Sequence, residues 1–330
     1  MDIEIAKGSG FCPGVRRAVR LALQAAEQRG RRIVTLGPLV HNPLVVEMLE
    51  ARGIRAVDGV DGDADVVVIR AHGIPAPLHE SLHRQRVEIV DATCPRVRRS
   101  QQYARALRDE GYRVVILGDA DHAEVRAVGS YAGDRAVVVE SPEALPAELG
   151  PKVGLLAQTT QPQEAFLRLV GRAVPTAGEV RVINTICRST ASRLAETERL
   201  ARRVQVMIVI GGRRSHNTLE LARACLRAGV DTHHVERAGE LQGPWFWNVR
   251  RVGVAAGAST PDGAIGDVVD GIRALEAAAG RPRGAPCLRA GAGTVDAEVA
   301  YGVTREALDH ILTLADRGAP FDRDAAGGFV

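Results

Sequence analysis

The 330-residue sequence has few aromatic residues, no long apolar run and no strong excess of charge, and each absence excludes a class of function. Phenylalanine, tyrosine and tryptophan make up 3% of the chain, too few for a surface that stacks nucleic-acid bases. The 43 lysines and arginines are almost balanced by 40 aspartates and glutamates, so the composition does not indicate nucleic-acid binding. Apolar runs such as Val66–Ile69 are far shorter than a membrane span. We therefore expect neither nucleic-acid nor membrane partners.

Cysteine is also scarce, and its spacing argues against a disulfide framework. The chain has five cysteines, and the three discussed below lie 82 and 93 residues apart, which matches no compact zinc-binding motif. Residues 1–7 alternate like a short strand and lack the cationic and apolar regions of a secretory signal. We therefore expect a cytoplasmic protein whose cysteines serve metal binding or catalysis.

One pattern occurs three times along the chain: a cysteine, a basic segment with helical periodicity, an apolar strand and a loop with a histidine. The cysteines are Cys12, Cys94 and Cys187, and the histidines are His41, His122 and His216, each 28 or 29 residues after its cysteine. In every copy a second apolar strand ends in another polar loop. These loops are Ala71-His72-Gly73, Gln158-Thr159-Thr160 and Ala258-Ser259-Thr260.

This alternation of strands and helices predicts an α/β fold with parallel sheets covered by helices. We expect three similar units in a pseudo-threefold arrangement, at residues 1–90, 91–183 and 184–280. A tail at 281–330, whose role the sequence does not indicate, follows with one predicted helix at 304–317. Ligands of parallel sheets bind at the carboxyl ends of the strands. Three units with a common centre would therefore direct all six polar loops into one pocket.

The three repeated cysteines have two interpretations that their spacing alone does not separate. Three thiolates can hold an iron–sulfur cluster and leave one iron for water or substrate. Alternatively, they are buried cysteines that pack as small apolar residues. Cys225 and Cys287 have no counterpart in the other repeats, and we interpret both as incidental.

Nine motifs follow one another along the chain. They are Gly10-Phe11-Cys12-Pro13-Gly14-Val15, Leu36-Gly37-Pro38-Leu39-Val40-His41-Asn42, Arg70-Ala71-His72-Gly73, Asp91-Ala92-Thr93-Cys94-Pro95, His122-Ala123-Glu124-Val125, Gln158-Thr159-Thr160, Thr185-Ile186-Cys187, Ser215-His216-Asn217 and Gly257-Ala258-Ser259-Thr260-Pro261. Over about residues 1–275 these motifs resemble the LytB family of 4-hydroxy-3-methylbut-2-enyl diphosphate reductases. Any one of them alone would be weak, but together and in order they are specific.

The resemblance implies a 4Fe–4S cluster held by Cys12, Cys94 and Cys187, with an open apical iron. Family members use it to remove the allylic hydroxyl of (E)-4-hydroxy-3-methylbut-2-enyl diphosphate, which gives isopentenyl and dimethylallyl diphosphate. The reaction needs two electrons and two protons. The chain has no flavin or nicotinamide motif, so we expect a ferredoxin or flavodoxin as the electron donor.

Site residues follow from the same resemblance and from the chemistry of each side chain. Glu124 is the one carboxylate within the matching polar loops, so we assign it a proton relay together with Thr159 and Thr160. Charge-assisted donors suit the diphosphate, and serines or asparagines at helix starts suit phosphate oxygens. The expected substrate-binding residues are His41, His72, His122, Ser215, His216, Asn217 and Ser259.

Departures from the family pattern leave two further hypotheses open. Glu220 stands where the family commonly has arginine, and His216 stands where it has a small polar residue. A diverged paralogue could therefore reduce another allylic or aromatic alcohol, and a non-catalytic cluster or zinc protein could act as a redox sensor. Arginines also follow the first two cysteines, at positions 16, 17, 98 and 99. We interpret them as a solvated helix face, with docking of an acidic electron donor as the alternative.

Overall fold

The structure, a computed structural model, describes residues 1–27, 30–59, 64–85 and 87–280. Its strands are short and rich in valine and isoleucine, as expected for strands buried on both faces. The strands are β1 Asp2–Ile5, β2 Ile33–Leu36, β3 Ile54–Val57, β4 Val66–Ile69, β5 Glu88–Asp91, β6 Arg113–Leu117, β7 Val137–Val139, β8 Lys152–Ala157, β9 Glu179–Val182, β10 Val206–Ile210, β11 Asp231–Val235 and β12 Arg251–Ala256. The predicted tail and its helix lie outside the described residues.

Helices alternate with these strands. They are α1 Pro13–Ala26, α2 Pro43–Glu50, α3 Ala76–Arg84, α4 Pro95–Asp109, α5 Ala123–Ala132, α6 Gln163–Ala173, α7 Arg188–Ala201, α8 His216–Arg227 and α9 Asp262–Gly280. Proline opens α1 and α4, the helices after Cys12 and Cys94. A proline is favoured there because the first N–H of a helix has no intrahelical partner anyway. No helix among the described residues is long and apolar enough to cross a lipid bilayer.

The strands form three parallel four-stranded sheets with one common strand order. These orders are β3-β2-β4-β5, β7-β6-β8-β9 and β11-β10-β12-β1, and every pair is parallel. The predicted α/β class with three parallel-sheet units is therefore confirmed. Both central strands of each sheet carry buried apolar side chains, for example Val66–Ile69 in β4 and Val206–Ile210 in β10.

The N-terminal strand lies in a different sheet from the one predicted. The proposed first unit, residues 1–90, includes β1, but β1 pairs with β12 from Asp2↔Arg251 to Ile5↔Val254. It occupies the edge position that β5 and β9 occupy in the other two sheets. The repeat is thus circularly shifted, and the chain's first strand completes its third sheet.

This topology fixes the position of the cysteines. The edge strands β1, β5 and β9 each end a few residues before a cysteine, and a helix begins directly after it. Because all three sheets share one strand order, the three cysteines occupy equivalent places. Residues Met1–Ala278 form one compact unit, so the three places lie within a single body.

Candidate active site

One cavity of about 100 Å³ is lined by every residue that the sequence predicts for the site. Three groups meet there: the cysteines, the proton-relay residues and the substrate-binding residues. They are Cys12, Cys94, Cys187, Glu124, Thr159, Thr160, His41, His72, His122, Ser215, His216, Asn217 and Ser259. Residues that are distant in sequence therefore share one space at the carboxyl ends of the strands.

Each cysteine occupies the residue before a helix and is held in the same way. Its backbone N–H donates to a backbone carbonyl in the loop after the neighbouring central strand, which is β12, β4 or β8. The bonds run from Cys12 to Ala258 (3.1 Å), from Cys94 to Ala71 (2.9 Å) and from Cys187 to Thr159 (2.9 Å). The N-termini of α1, α4 and α7 thus meet at the cavity, where their partial positive charges favour thiolates.

Close backbone approach at Gly14 brings two of the thiols together. A side-chain carbon at Gly14 would lie 2.6 Å from Cys94 Sγ and 3.8 Å from Cys12 Sγ. Any larger residue would therefore collide with the Cys94 thiol. Gly14 lies in the first turn of α1, and the space that it leaves beside the thiol explains why this position is glycine.

A buried arginine ties two cysteine segments together. Arg193 is 3% exposed, and its guanidinium donates to Gly8 O and Gly10 O at 2.8 Å each. Burial lowers the pKa of Arg193, and negative charge on Cys12 and Cys187 opposes that effect. Among the described residues no carboxylate pairs with it. A fixed positive charge is therefore available near two thiols, which favours an anionic group there.

Glu124 and Thr159 form a buried hydrogen-bonded pair. Glu124 lies in the first turn of α5 and is 3% exposed. Its Oε1 accepts from the Thr159 backbone N–H, and its Oε2 accepts from the Thr159 hydroxyl, both at 2.7 Å. Burial raises the pKa of Glu124, and the two bonds from Thr159 oppose that rise. The carboxyl is thus suited to hold a proton in a water-poor site.

Three histidine rings pack against one another in the cavity. His41 and His72 stack with ring centroids 4.4 Å apart, and His122 meets them edge-on at 5.3 and 5.2 Å. Burial lowers the pKa of His41 and of His122 from 6.5 to about 4, with Arg70 adding to the effect on both. Burial also lowers the pKa of His72. The rings are therefore neutral at neutral pH until an anion approaches.

The same three histidines have the spacing of a metal site, but a hydrogen bond argues for an anion. Candidate ligand nitrogens of His41, His72 and His122 lie within 4.8 Å of one another. However, His122 caps α5, and its Nδ1 accepts the backbone N–H of Glu124 at 3.1 Å. The proton of the neutral His122 ring is then on Nε2, which makes Nε2 a donor and not a metal ligand. A phosphate oxygen suits this arrangement better than a cation.

Polar groups at the start of α8 line another part of the cavity. Ser215 caps α8 and accepts from the Thr218 N–H at 3.4 Å, so its own hydroxyl proton remains available for a ligand. Asn217 is 4% exposed, and neither its amide oxygen nor its amide nitrogen has a partner among the described residues. Ser259 lies close by, 3.5 Å from the carbonyl of His41. Buried polar groups without partners are costly, which indicates a ligand.

His216 points into the cavity and contacts the second threonine. Its Nδ1 lies 3.0 Å from the Thr160 hydroxyl, and its ring is 6.4 Å from that of His122. Burial lowers the pKa of His216. Glu220, the other departure from the family pattern, does not line the cavity and pairs with Arg223 at 2.6 Å. The acidic substitution therefore places no unpaired carboxylate at the site.

The cavity also includes residues that were not among the predicted site residues. One residue lies three positions after each cysteine, at Val15, Val97 and Thr190, and Arg96 lies beside them. The threefold repeat could have indicated the first three positions, because the third residue after each cysteine lies in the first turn of the helix that follows it.

Comparisons with known proteins show the family to which the chain is related. A family model described as LytB protein matches residues 3–273. A protein of Geobacter sulfurreducens named 4-hydroxy-3-methylbut-2-enyl diphosphate reductase is 45% identical over 278 residues, which cover 84% of this chain and 98% of that protein. A protein of Pelobacter propionicus with the same name is 43% identical over 271 residues, covering 82% and 96%.

Solved structures show the same fold. One is described as the structure of (E)-4-hydroxy-3-methyl-but-2-enyl diphosphate reductase, the terminal enzyme of the non-mevalonate pathway. It is 40% identical with a TM-score of 0.63, and the match covers 83% of this chain and 100% of that one. The E-1-hydroxy-2-methyl-but-2-enyl-4-diphosphate reductase of Plasmodium falciparum has a TM-score of 0.75 at 23% identity, over 82% and 87%. At that identity the second match supports the fold alone.

Proposed function

The chain belongs to the LytB family, and from that premise we propose that it is a 4-hydroxy-3-methylbut-2-enyl diphosphate reductase of the non-mevalonate isoprenoid pathway. The reaction replaces an allylic C–OH by C–H with two electrons and two protons, releases water, and gives isopentenyl and dimethylallyl diphosphate. One observation carries the proposal: three cysteines, each directly before a helix, share a cavity with the buried Glu124–Thr159 pair.

The cysteine site fits a 4Fe–4S cluster. Its donor set is three thiols at helix N-termini, with Gly14 leaving space beside the Cys94 sulfur and with the buried Arg193 cation nearby. Cys12, Cys94 and Cys187 would hold the cluster. When bound, a cluster with three thiolate ligands supplies electrons and an iron without a protein ligand, which can polarise a hydroxyl oxygen.

The carboxyl and hydroxyl groups supply the proton that the departing hydroxyl needs. Burial raises the pKa of Glu124, which favours the protonated carboxyl, and the Thr159 hydroxyl bonded to it can pass a proton to the substrate oxygen. The C–O bond breaks as that oxygen leaves as water. Thr160 lines the same cavity and offers a second hydroxyl to the substrate. Buried position and direct hydrogen bonding together suit general acid catalysis.

The histidines and the start of α8 suit the diphosphate. Neutral His41, His72 and His122 can each donate one N–H, and an approaching anion raises their pKa values, so that the bonds become charge-assisted. The Ser215 hydroxyl and the unpartnered Asn217 amide add donors at a second side. The Ser259 hydroxyl, whose bond to the His41 carbonyl is long at 3.5 Å, can turn to the anion as a further donor. Arg70 and Arg214, which act on His41, make the surroundings cationic and further favour an anion.

The electrons need an external carrier, since no motif for a flavin or nicotinamide is present in the sequence. We propose a ferredoxin or flavodoxin. Free thiols and a cluster of this kind also fit a reducing compartment such as the cytoplasm.

A second candidate is a paralogue that reduces another allylic or aromatic alcohol. The observation that favours it is His216, whose ring occupies cavity space beside Thr160. A redox sensor fits less well, because a sensor has no use for the buried pair of Glu124 and Thr159.

The test is anaerobic purification followed by an assay with the hydroxylated diphosphate and a reduced viologen. We expect both isomeric products. Glu124→Gln keeps the shape of the side chain but not its transferable proton, so it should keep the cluster while its rate falls by about 10²–10⁴. A cluster-containing wild type without turnover would favour the second candidate. Zinc in place of iron would contradict both enzymatic hypotheses.

A further inference from the structure

A groove of about 430 Å³ lies outside the cysteine cavity and is strongly basic. We call it the arginine groove. Its lining residues are Arg17, Thr93, Pro95, Arg96, Arg98, Arg99 and Gln102. They include four arginines and no carboxylate. Because the chain as a whole carries a net charge of only +3, this density of positive charge is local and calls for an explanation.

The arginine groove is separated from the cysteine cavity by one short segment. Thr93 and Pro95 line the groove, whereas Cys94 between them lines the cavity. Arg96 lines both. A partner seated in the groove would therefore stand directly against the backbone that carries a cluster-binding cysteine.

Two of the four arginines bond to other residues of the protein, and the other two face solvent. Arg17 of α1 donates to the carbonyls of Thr93 (3.2 Å) and Asp91 (3.4 Å), and Arg98 is paired with Asp91. These bonds fix the segment that leads to Cys94. Arg96 and Arg99 are exposed, and within the described part of the chain neither forms an ion pair. Two unneutralised charges thus remain for a partner.

Resting on the proposed function, we propose that the arginine groove is the docking surface for an acidic one-electron carrier protein. Each hydroxyl removed consumes two electrons, so two reduced carriers dock in turn and each leaves oxidised by one electron. Attraction between the positive groove and the negative carrier speeds their association and fixes the orientation of the complex. A carrier bound in the groove is then separated from the cluster site only by the short segment that contains Cys94.

Arg99→Glu is the decisive variant, because Arg99 lies in the groove but does not line the cavity. Glutamate is tolerated near the start of a helix such as α4, where the dipole favours negative charge. Gln102→Glu adds one negative charge to the groove without removing any arginine. Arg99→Lys keeps the positive charge. Arg172→Glu, at an exposed position in the last turn of α6, is the matched reversal outside the groove.

The assay compares two electron donors on the same cluster-loaded preparations. With a purified acidic [2Fe–2S] ferredoxin at low salt, we expect kcat/KM to fall about tenfold to a hundredfold for Arg99→Glu, less for Gln102→Glu and within about twofold for Arg99→Lys and Arg172→Glu. With a reduced viologen, which needs no docking surface, all variants should match the wild type. Ferredoxin binding measured without substrate should weaken in the same order, and added salt should reduce the differences.

The outcomes separate this proposal from the proposed function. If the wild type turns over with neither donor, the proposed function fails. If the wild type turns over but Arg99→Glu keeps its ferredoxin kcat/KM and binding at low salt, the docking surface is wrong and the function stands. Equal losses with ferredoxin and viologen would also refute docking, because they would place the effect of Arg99 in the active site.

Discussion

Replacement of Thr159 by valine tests the proton relay most sharply. The change removes the hydroxyl that donates to Glu124 Oε2 at 2.7 Å, whereas the backbone N–H still donates to Oε1. A hydrogen bond to a charged group contributes roughly 1.5–3 kcal/mol, and about 1.4 kcal/mol corresponds to a tenfold change in an ionisation constant. Because the lost bond stabilises the carboxylate, we expect the pKa of Glu124 to rise further than burial alone raises it.

The assay is the pH dependence of viologen-driven turnover. In the proposed mechanism the protonated form of Glu124 is the active one, so the rate should fall as the pH rises through the pKa of that carboxyl. In Thr159→Val this fall should move to higher pH, while the plateau rate drops about tenfold to a hundredfold because the relay hydroxyl is absent. Thr159→Ser keeps the hydroxyl and should restore both the position of the fall and most of the rate.

An unchanged or acid-shifted profile in Thr159→Val would refute this reasoning, since it would mean that the Thr159 hydroxyl does not stabilise the Glu124 carboxylate. A serine variant as slow as the valine variant would likewise exclude the hydroxyl as the relevant group.

Three further outcomes are expected. Gly14→Ala should lower the iron and sulfide content of the purified chain, since a carbon there would lie 2.6 Å from Cys94 Sγ; full cluster content would contradict this. His41 and His122 have pKa values lowered from 6.5 to about 4, so their stabilising effect is complete above about pH 6.5 and is lost as the pH falls. The free energy of unfolding measured in urea should therefore be lower at about pH 5 than at about pH 7, by up to about 2 kcal/mol for each of the two histidines. Equal free energies at the two pH values would contradict this prediction. His216→Leu should change kcat or the ratio of the two products, and His216→Asn, whose amide can replace Nδ1 beside Thr160, should restore it; identical kinetics in both variants would exclude the contact.

The central strands and the cysteine helices could be predicted from the sequence because their signals are local. Val66–Ile69 is a continuous apolar run, and α1 and α4 begin with proline after a cysteine. The edge strands β3, β5, β9 and β11 were not predicted, because they are short and carry polar residues, as in Asp231–Val235. An edge strand exposes one side to solvent, so it lacks the apolar run that marks a central strand.

The place of β1 could not be predicted locally. Its sequence predicts a strand, but its partner β12 comes about 250 residues later, and only the shared strand order of the three sheets reveals the circular shift. The burial of Arg193 is a similar case, since its partners are the carbonyls of Gly8 and Gly10. Contacts between distant segments decide both features.

The cavity residues could be predicted where the same kind of residue recurs in the three copies of the sequence pattern. Glu124 was assigned to a polar loop, but it lies in the first turn of α5 behind its capping residue His122. That helix start explains why its carboxyl points at Thr159 while its own N–H is bonded to His122.

The most direct test of the account is the iron and acid-labile sulfide content of the anaerobically purified chain and its cysteine variants. We predict about four of each per wild-type chain, with a large loss in Cys12→Ser, Cys94→Ser and Cys187→Ser. Cys225→Ser should keep the full content, because Cys225 is buried away from the cavity. Undiminished iron in Cys187→Ser, or a wild type that binds zinc and no iron, would contradict the central claim that these three cysteines hold one iron–sulfur cluster.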